Sequence, residues 1–421
     1  MKRSLIKGGL AVLLGLTLVA AACSNGKTEN VSNNGGNDGG KVKIEYFQMK
    51  SEVVEIVNDL IAKFETENPG IIVEQNNVPN PENVWSMRVS TNDAPAAFTH
   101  YPHNPVFQKM AIEGRVVDLT NDPLLDNVLP AIAEISKIEG KNYMVPIGLA
   151  TLGVYYNKAI FAEHGLQVPT TYAEFIDVSE KLKAAGVTPM LFHDKDFNGI
   201  RQEVVYKMGQ TMPNVEQFLD DVMNGKAHIT DNPEFKPFAE KLLALREFGQ
   251  KDIMGTGYDD ALREFSNGKA AMWFTGIWAQ KEIKLNNPEL DFAMFPLPTE
   301  KAEDLKTQVS VDTAIGLPTG GKNEAEARKF VEFMSSKEAV EAYLEKGGYP
   351  SGINGVDTGS AEMASLSQLI KDGKVYPTIE RVWPPGLNAE VGKATQEMFV
   401  TKDIEQYLKA LDSIFYNVLN Q

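Results

Sequence analysis

The residues from 42 to 74 follow a strand, helix, strand pattern, which constrains the fold more than any other feature of the chain. Apolar and charged residues alternate from Val42 to Tyr46, as in a strand whose two faces differ. A helix capped by Ser51 follows and ends at Asn68-Pro69-Gly70, and Ile71 to Glu74 is predicted to be a second strand. The helix carries one apolar stripe, formed by Val53, Val54, Val57, Leu60, Ile61 and Phe64. This order opens an α/β domain with parallel strands.

The same kinds of element recur to the end of the chain. Residues 146–156 are rich in strand formers, and Thr171 with Glu174 predicts a capping box at the start of a helix. Further strands are predicted at 270–274 and 309–317, and further helices at 324–335 and 403–419. The whole chain is therefore predicted to be α/β.

Length and charge limit the possible functions. At roughly 100 to 200 residues per domain, 421 residues predict two or three domains, and we expect two. Lys and Arg number 41 against 57 Asp and Glu, so an extended basic surface for nucleic acid is not expected. Cys23 is the single cysteine, which excludes an internal disulfide and a thiolate metal cluster.

The first 22 residues have the three parts of a secretory signal. Lys2, Arg3 and Lys7 give a positive start, and the apolar run from Leu10 to Ala22 is too short to span a bilayer. The segment Leu18 to Ser24 resembles the lipobox of bacterial lipoproteins, in which the cysteine becomes a lipidated N-terminus. The alternative is an ordinary signal followed by a free core cysteine.

Residues 24–40 hold five Gly and five Asn and one apolar residue. This composition predicts a flexible tether. We therefore expect a signal peptide at 1–22, a lipidated Cys23 with a tether to residue 41, and an extracytoplasmic, membrane-anchored protein.

No sequence motif supports an enzyme or a cofactor. Gly316 to Asn323 has the spacing of a phosphate-binding loop, but Asn323 lacks the hydroxyl that holds magnesium and Pro318 lacks a backbone N–H. No GxSxG elbow appears, and Cys23 lies in the signal region. A glycosidase with paired carboxylates remains the enzymatic alternative, because 57 acidic residues always offer candidate pairs.

Four segments, in order, resemble the extracellular solute-binding proteins of sugar ABC importers. These are Val145–Lys158 with Phe161, Gly165, Pro169 and Thr170; Gly268–Trp278; Ala314–Gly316 followed by Ala327, Phe330, Phe333 and Met334; and Tyr349-Pro350 with Gly355-Val356. Each segment alone is a weak signal, but their order together with the lipobox is a strong one.

The resemblance implies two α/β lobes, each a mainly parallel sheet flanked by helices, with the ligand in the cleft between them. Lobe one would comprise 42–149 plus 296–342, and lobe two 150–295 plus 343–421. The chain would cross between them near Gly148 to Leu152, near Phe295 to Pro298 and at the turn around Gly347. The lobes would close around the ligand about a hinge, as periplasmic binding proteins do.

The resemblance also implies the function and the partners. The protein would capture a mono- or oligosaccharide and deliver it to a membrane permease, as a monomer on a Gram-positive cell surface, without catalysis. The alternatives are a surface glycoside hydrolase and a binding protein for another solute, such as a polyamine.

Sugar binding needs aromatic rings beside polar groups, because a pyranose has apolar CH faces and hydroxyls that require hydrogen bonds. Trp278 and Trp383 match aromatic platforms of the family, and turn residues flank both. The alternative for each is a packed core tryptophan.

The remaining candidates come from loops and crossing strands. His100, Tyr101 and Asn104 align with a sugar-contacting loop of the family. A metal site at His100 and His103 is not expected, since no third ligand lies nearby in the sequence. Asp312 on a crossing strand, Thr151 at the hinge, and Arg201 with Gln202 complete the predicted site. For Asp312 a structural ion pair is the open alternative.

Overall fold

The computed structural model describes residues 40–345 and 347–419. The strands are β1 (Val42–Phe47), β2 (Ile71–Asn76), β3 (Ala97–His100), β4 (Val145–Asn157), β5 (Thr188–Leu191), β6 (Ala270–Gly276), β7 (Phe292–Phe295), β8 (Thr307–Gly316) and β9 (Val375–Pro377). The helices are α1 (Val54–Glu67), α2 (Pro81–Ser90), α3 (Pro105–Ile112), α4 (Pro130–Ile135), α5 (Lys158–Glu163), α6 (Tyr172–Ala184), α7 (Phe197–Thr211), α8 (Val215–Met223), α9 (Phe235–Arg246), α10 (Tyr258–Ser266), α11 (Ala279–Asn286), α12 (Glu324–Met334), α13 (Lys337–Glu345), α14 (Ala364–Lys371), α15 (Leu387–Thr401) and α16 (Ile404–Asn417).

The opening strand, helix and strand form as the sequence predicts, but the predicted Ser51 cap is wrong, because Ser51 lies in a 3₁₀ turn, Ser51–Val53, and α1 has no side-chain cap. β1 and β2 pair in parallel with Val42 opposite Ile71, and α1 connects them. α1 buries Val57, Leu60, Ile61 and Phe64 of its predicted stripe. The capping box of α6 is also confirmed, because Thr171 accepts from the Glu174 N–H while Glu174 accepts from the Thr171 N–H.

The strand order is β2-β1-β3-β8-β4-β6-β5, with β7 paired to β4 and β9 paired to β8. β4 pairs with β8 from Val145 to Thr151, and with β6 from Leu152 onward. One continuous strand thus passes from a sheet built on β1 to a second sheet built on β6. The change of partner lies within the predicted crossing near Gly148 to Leu152.

The sheets combine the predicted parallel pairs with antiparallel ones. β1 pairs in parallel with β2 and β3, and β5 with β6. However, β8 is antiparallel to both β3 and β4, and β4 is antiparallel to β6 and β7. The sheets are mixed because β4 and β8 run in opposite directions between the two halves of the fold.

Separate apolar cores flank the crossing. One cluster joins β1, β3, α1 and α12, for example through Tyr46, Phe64 and Phe330. A helical cluster joins α7, α8, α9, α15 and α16, and two more pack on β4, β6 and β7. Ile353 and Ile370 belong to the first cluster. The division of the chain into the lobes given above stays a prediction.

No helix in the described ranges is both long enough and apolar enough to cross a membrane. The predicted signal peptide, Cys23 and most of the tether lie outside the described residues.

Candidate ligand-binding site

A cavity of about 140 Å³ lies where β4 changes from one sheet to the other. Its lining comes from both sheets and from the helices beside them: His103, Ala150, Thr151, Leu152, Arg201, Gln202, Val205, Trp278, Gln308, Ser310, Thr378 and Glu380. The position between the two halves is the one predicted for the ligand.

The crossing strands form the floor of the cavity. Ala150 lies opposite Ser310 in the β4–β8 ladder. The buried Thr151 hydroxyl donates to the Gln308 carbonyl at 2.6 Å and contacts the Thr307 hydroxyl at 2.9 Å. Thr151 therefore lines the cavity, while its hydroxyl is used to join the two crossing strands.

A short 3₁₀ turn, Ile379–Val382, closes another side of the cavity. Glu380 of this turn pairs with Arg201 near the start of α7. Arg381 holds the turn in place by a two-pronged contact with Glu216 on α8, at 2.9 and 3.0 Å. The Gln108 side chain on α3 donates to the Arg381 carbonyl at 3.1 Å. The turn thus contacts α8 on one side and α3 on the other.

Trp278 supplies the aromatic surface. It follows β6, precedes α11 and is half-buried, so part of its ring remains accessible. It packs against apolar residues of both clusters on β4, β6 and β7. These contacts hold the indole rigidly at the edge of the cavity.

Four polar atoms of the lining residues are buried without a hydrogen-bond partner among the described residues. They are His103 Nδ1, Arg201 Nε, Gln308 Oε1 and Thr378 Oγ1. Buried polar groups in native proteins are nearly always hydrogen-bonded, and leaving one unmet costs about 1–3 kcal/mol. A ligand with several hydroxyls would satisfy these atoms.

The electrostatic setting keeps His103 neutral. Burial lowers the pKa of His103, and the opposing charges of Glu380 and Asp312 do not restore it. Burial raises the pKa of the neighbouring Tyr101 to about 12, and Asp312, Glu52 and Glu82 act in the same direction. Near neutral pH both side chains are uncharged hydrogen-bonding groups.

The structure brings Trp278, Thr151, Arg201 and Gln202 together in the lining, as the sequence predicts. Tyr101 lies beside them, with its ring centroid 5.9 Å from that of His103. Asp312 forms an ion pair with Lys50, which is the structural alternative that the sequence left open.

His100, Asn104 and Trp383 have structural surroundings instead. His100 is 1% exposed, stacks on Phe107 at 5.0 Å and accepts from the Tyr101 N–H at 2.8 Å. Asn104 caps α3 by accepting from its first backbone N–H groups. Trp383 is 3% exposed and packs edge-on against Phe415 at 5.2 Å. None of the three lines the cavity, and their ligand roles stay predictions.

Sequence reasoning missed several lining residues. Glu380 and Thr378 lie just before the segment Arg381 to Gly386 that drew attention to Trp383. Ser310 lies on the strand predicted at 309–317 and Gln308 lies just before it, and alternation alone does not show which face of a strand meets a cleft. From the sequence, His103 entered only with His100, as a metal site that is not expected.

A cleft with an aromatic wall, set at strands that cross between two α/β halves, defines the class of solute-binding proteins. Residues 50–341 match the model of the bacterial extracellular solute-binding protein family, and the chain belongs to that family. It is similar to the multiple sugar-binding protein of Streptococcus mutans, with 30% identity over 416 residues and 97% of each chain covered.

Solved structures agree with this assignment. The apo form of RafE from Streptococcus pneumoniae matches with a TM-score of 0.82 and 28% identity, over 90% of this chain and 98% of RafE. RafE in complex with raffinose matches with a TM-score of 0.72 and 28% identity, over 90% and 100%. The described arrangement is therefore closer to the ligand-free form of that relative.

The comparisons confirm the predicted family, the two-lobed α/β fold class and the function of a solute-binding protein in ABC import. The relatives are binding proteins, and the family is extracytoplasmic, as expected from the sequence.

Proposed function

We propose that this protein captures an oligosaccharide in the cavity at the crossing strands and delivers it to the permease of an ABC importer. The observation that carries the proposal is the placement of Trp278 beside four buried polar atoms without partners. This combination matches the two faces of a sugar, because the ring covers its CH groups and the polar atoms meet its hydroxyls.

The relatives support a sugar as the ligand. One is named as a multiple sugar-binding protein, and RafE binds raffinose in a solved structure. A cavity of about 140 Å³ is smaller than an oligosaccharide. We propose that it receives one sugar ring while the rest of the oligosaccharide lies toward Tyr101, next to His103.

Capture would proceed by closure of the two halves about β4 and β8. The better match to apo RafE than to the raffinose complex supports an open starting state. Closure would bring the turn Ile379–Val382 and Trp278 around the ligand and exclude water, while the hydrogen bonds of Thr151 keep the crossing strands paired. The lobes would be those given by the ranges 42–149 plus 296–342 and 150–295 plus 343–421.

We propose that the protein catalyses nothing. Glycoside hydrolysis uses two carboxylates placed on either side of the scissile bond. Glu380 is the acidic residue among the described lining residues, and it is engaged by Arg201. A single, paired carboxylate favours a binder over a glycosidase.

We also propose that the mature chain begins at a lipidated Cys23 and acts as a monomer on the outer face of a Gram-positive cell membrane. The support is the order of charged, apolar and small residues before Cys23 and the polar tether after it. Two acyl chains on the cysteine would give stable anchoring where a single chain binds only marginally.

Thermal unfolding of the purified protein with a panel of saccharides tests the proposal. A ligand present at about 100 times its dissociation constant adds about 2.7 kcal/mol to the free energy of unfolding. At least one oligosaccharide should raise the melting temperature in a dose-dependent way. Absence of a shift with every saccharide, alongside a shift with spermidine, would identify a polyamine receptor instead.

A further inference from the structure

The cavity offers no free cation to a ligand. Arg201 and Glu380 are the formally charged side chains among the described lining residues, and they pair with each other. His103 is neutral because burial lowers its pKa. An anionic ligand group would lose its water beside Glu380 without gaining a counter-ion, which is costly in a buried site.

The approach to the cavity is acidic. Asp312 lies two residues after Ser310 on β8, Glu82 accepts from Asn104 next to His103, and Glu282 lies one turn after Trp278 on α11. In addition to burial, Asp312, Glu52 and Glu82 raise the pKa of Tyr101, and Asp312, Glu52 and Glu282 raise that of Tyr349. Tyr349 packs against clusters of both halves, so it lies between them. The aromatic residues at the cleft are thus surrounded by carboxylates from several elements.

Most of these carboxylates are not neutralised within the described chain. Asp312 is paired with Lys50. Glu52, Glu82 and Glu282 are exposed and have no cation within ion-pair distance among the described residues; Glu82 accepts from Asn104 and Glu282 from the Tyr258 hydroxyl. The cleft therefore carries a negative field on top of the overall net charge of −16.

Of the four unmet polar atoms, the Gln308 carbonyl oxygen favours a neutral ligand, whereas the Arg201 Nε–H can donate to a hydroxyl or to a carboxylate oxygen. Gln308 and Thr378 are 6% and 4% exposed, and each has a buried atom without a partner. A hydroxyl can donate to the Gln308 carbonyl oxygen, whereas a ligand carboxylate has no proton to donate and would repel it.

We infer that the cleft selects uncharged saccharides and rejects those that carry carboxylates, such as oligosaccharides of uronic acids. The inference rests on the proposed function and adds the chemical class of the ligand. The pair Arg201–Glu380 disfavours an anionic group inside the cavity, which is the inner part of the selectivity. The exposed Glu52, Glu82 and Glu282 disfavour its approach, which is the outer part.

The two parts should differ in their response to salt. The outer carboxylates are exposed, and charges in water are screened over about 8 Å at physiological ionic strength. The inner pair is largely shielded from solvent, with 13% and 23% of the two side chains exposed. The preference for neutral over anionic saccharides should therefore weaken in high salt, where the outer carboxylates are screened, but the part that depends on Arg201 and Glu380 should persist.

Calorimetric titration of the purified protein with raffinose, maltotriose, cellotriose and trigalacturonate tests the inference. Since juxtaposed like charges commonly cost several kcal/mol, trigalacturonate should bind at least about 30-fold more weakly than the best neutral trisaccharide. Equal or tighter binding of trigalacturonate would overturn the inference and leave the proposed function standing. Failure of all four sugars to bind would overturn both.

Substitutions locate the effect. Glu380→Gln releases Arg201 and should improve trigalacturonate binding relative to the neutral sugar. The triple variant E52Q/E82Q/E282Q should reduce the difference in affinity between the neutral trisaccharide and trigalacturonate at low salt. The control E180Q/E289Q/E303Q makes the same change in net charge at exposed positions away from the cavity lining. It should keep the wild-type ratio of neutral-sugar affinity to trigalacturonate affinity. If the ratio of neutral-sugar affinity to trigalacturonate affinity is the same in the wild type and all three variants, the assignment of selectivity to these residues is wrong.

Discussion

The indole of Trp278 lies across the α-carbon of Gly276, where a Cβ atom would approach the ring to 2.0 Å. Gly276 is the last residue of β6 and lies opposite Leu152, at the point where β4 joins the second sheet. The backbone of the crossing region thus sets the position of the ring, and glycine is needed there because any side chain would fill the same space.

Substituting Gly276 by Ala should therefore displace the indole. We expect saccharide affinity to fall by at least about 10-fold, since loss of a well-placed aromatic contact commonly costs over 1 kcal/mol. Calorimetric titration with the saccharide that gives the largest thermal shift measures the change. Gly70→Ala, where a Cβ meets nothing within 4 Å, is the matched control. Wild-type affinity in Gly276→Ala would show that the ring position does not matter for binding.

The two candidate tryptophans should respond in opposite ways to replacement by Ala. Trp278→Ala should cost about 2 kcal/mol of binding, or about 30-fold in affinity, because the ring contributes mainly to the bound state. Trp383 is 3% exposed in the helical cluster, so Trp383→Ala should cost roughly 3–5 kcal/mol of stability by leaving a cavity.

Urea unfolding without ligand, paired with calorimetric titration, separates these effects. A stable Trp383→Ala variant that no longer binds sugar would restore Trp383 as a ligand platform. A Trp278→Ala variant that binds normally but unfolds easily would remove Trp278 from the site.

Local sequence explains why the surroundings of Trp278 could be predicted and those of Trp383 could not. Trp278 follows a predicted strand and a glycine, so the chain can turn its ring toward the end of the sheet. Trp383 also stands among turn residues, but its surroundings come from Phe415, more than thirty positions later in the chain. Such long-range packing has no local signature, since turn residues show where the backbone bends and not what covers the side chain.

The same distinction holds for the fold. Helices α1, α6, α12 and α16 follow from apolar spacing, and α6 also from its capping box, and both are local signals. The antiparallel pairing of β8 with β3 and β4 joins residues more than 150 positions apart and was not predicted. His100 shows the same limit of local sequence patterns at a single residue. Its position before a loop suggested a ligand contact, but in the structure the rings of Trp85 and Phe107 pack against it.

The burial of His100 predicts a dependence of stability on pH. Burial lowers its pKa from 6.5 to about 3. Between these values the unfolded chain binds a proton that the folded protein does not, so stability should fall as pH drops below about 6.5. The loss from this residue alone should approach about 1 kcal/mol per pH unit between roughly pH 5.5 and 4.

Urea unfolding of wild type and His100→Asn at pH 7 and pH 4.5 measures this contribution. Asn can keep the acceptor for the Tyr101 N–H but does not titrate. His164→Asn, at the end of α5, is the control and should keep the wild-type difference between the two pH values. An undiminished loss in His100→Asn would contradict the assignment.

The proposed anchor makes a prediction about mass. If Cys23 is the lipidated N-terminus, the native protein should fractionate with membranes and its intact mass should include the acyl groups. Cys23→Ala should yield an unprocessed or released form. A mature chain that begins at Cys23 without added acyl mass would exclude lipidation.

Tryptophan fluorescence during saccharide titration, followed by chromatography of the sugar after overnight incubation, shows whether the protein is a sugar receptor. We expect a saturable change in fluorescence that then stays constant, because closure shields Trp278 from water, and we expect the sugar to be recovered unchanged. Trp278→Ala should lose most of the signal, whereas the buried Trp85 and Trp273 should contribute little to it. Shorter sugars released at low protein concentration, or no saturable change with any saccharide, would contradict the proposal of a sugar receptor.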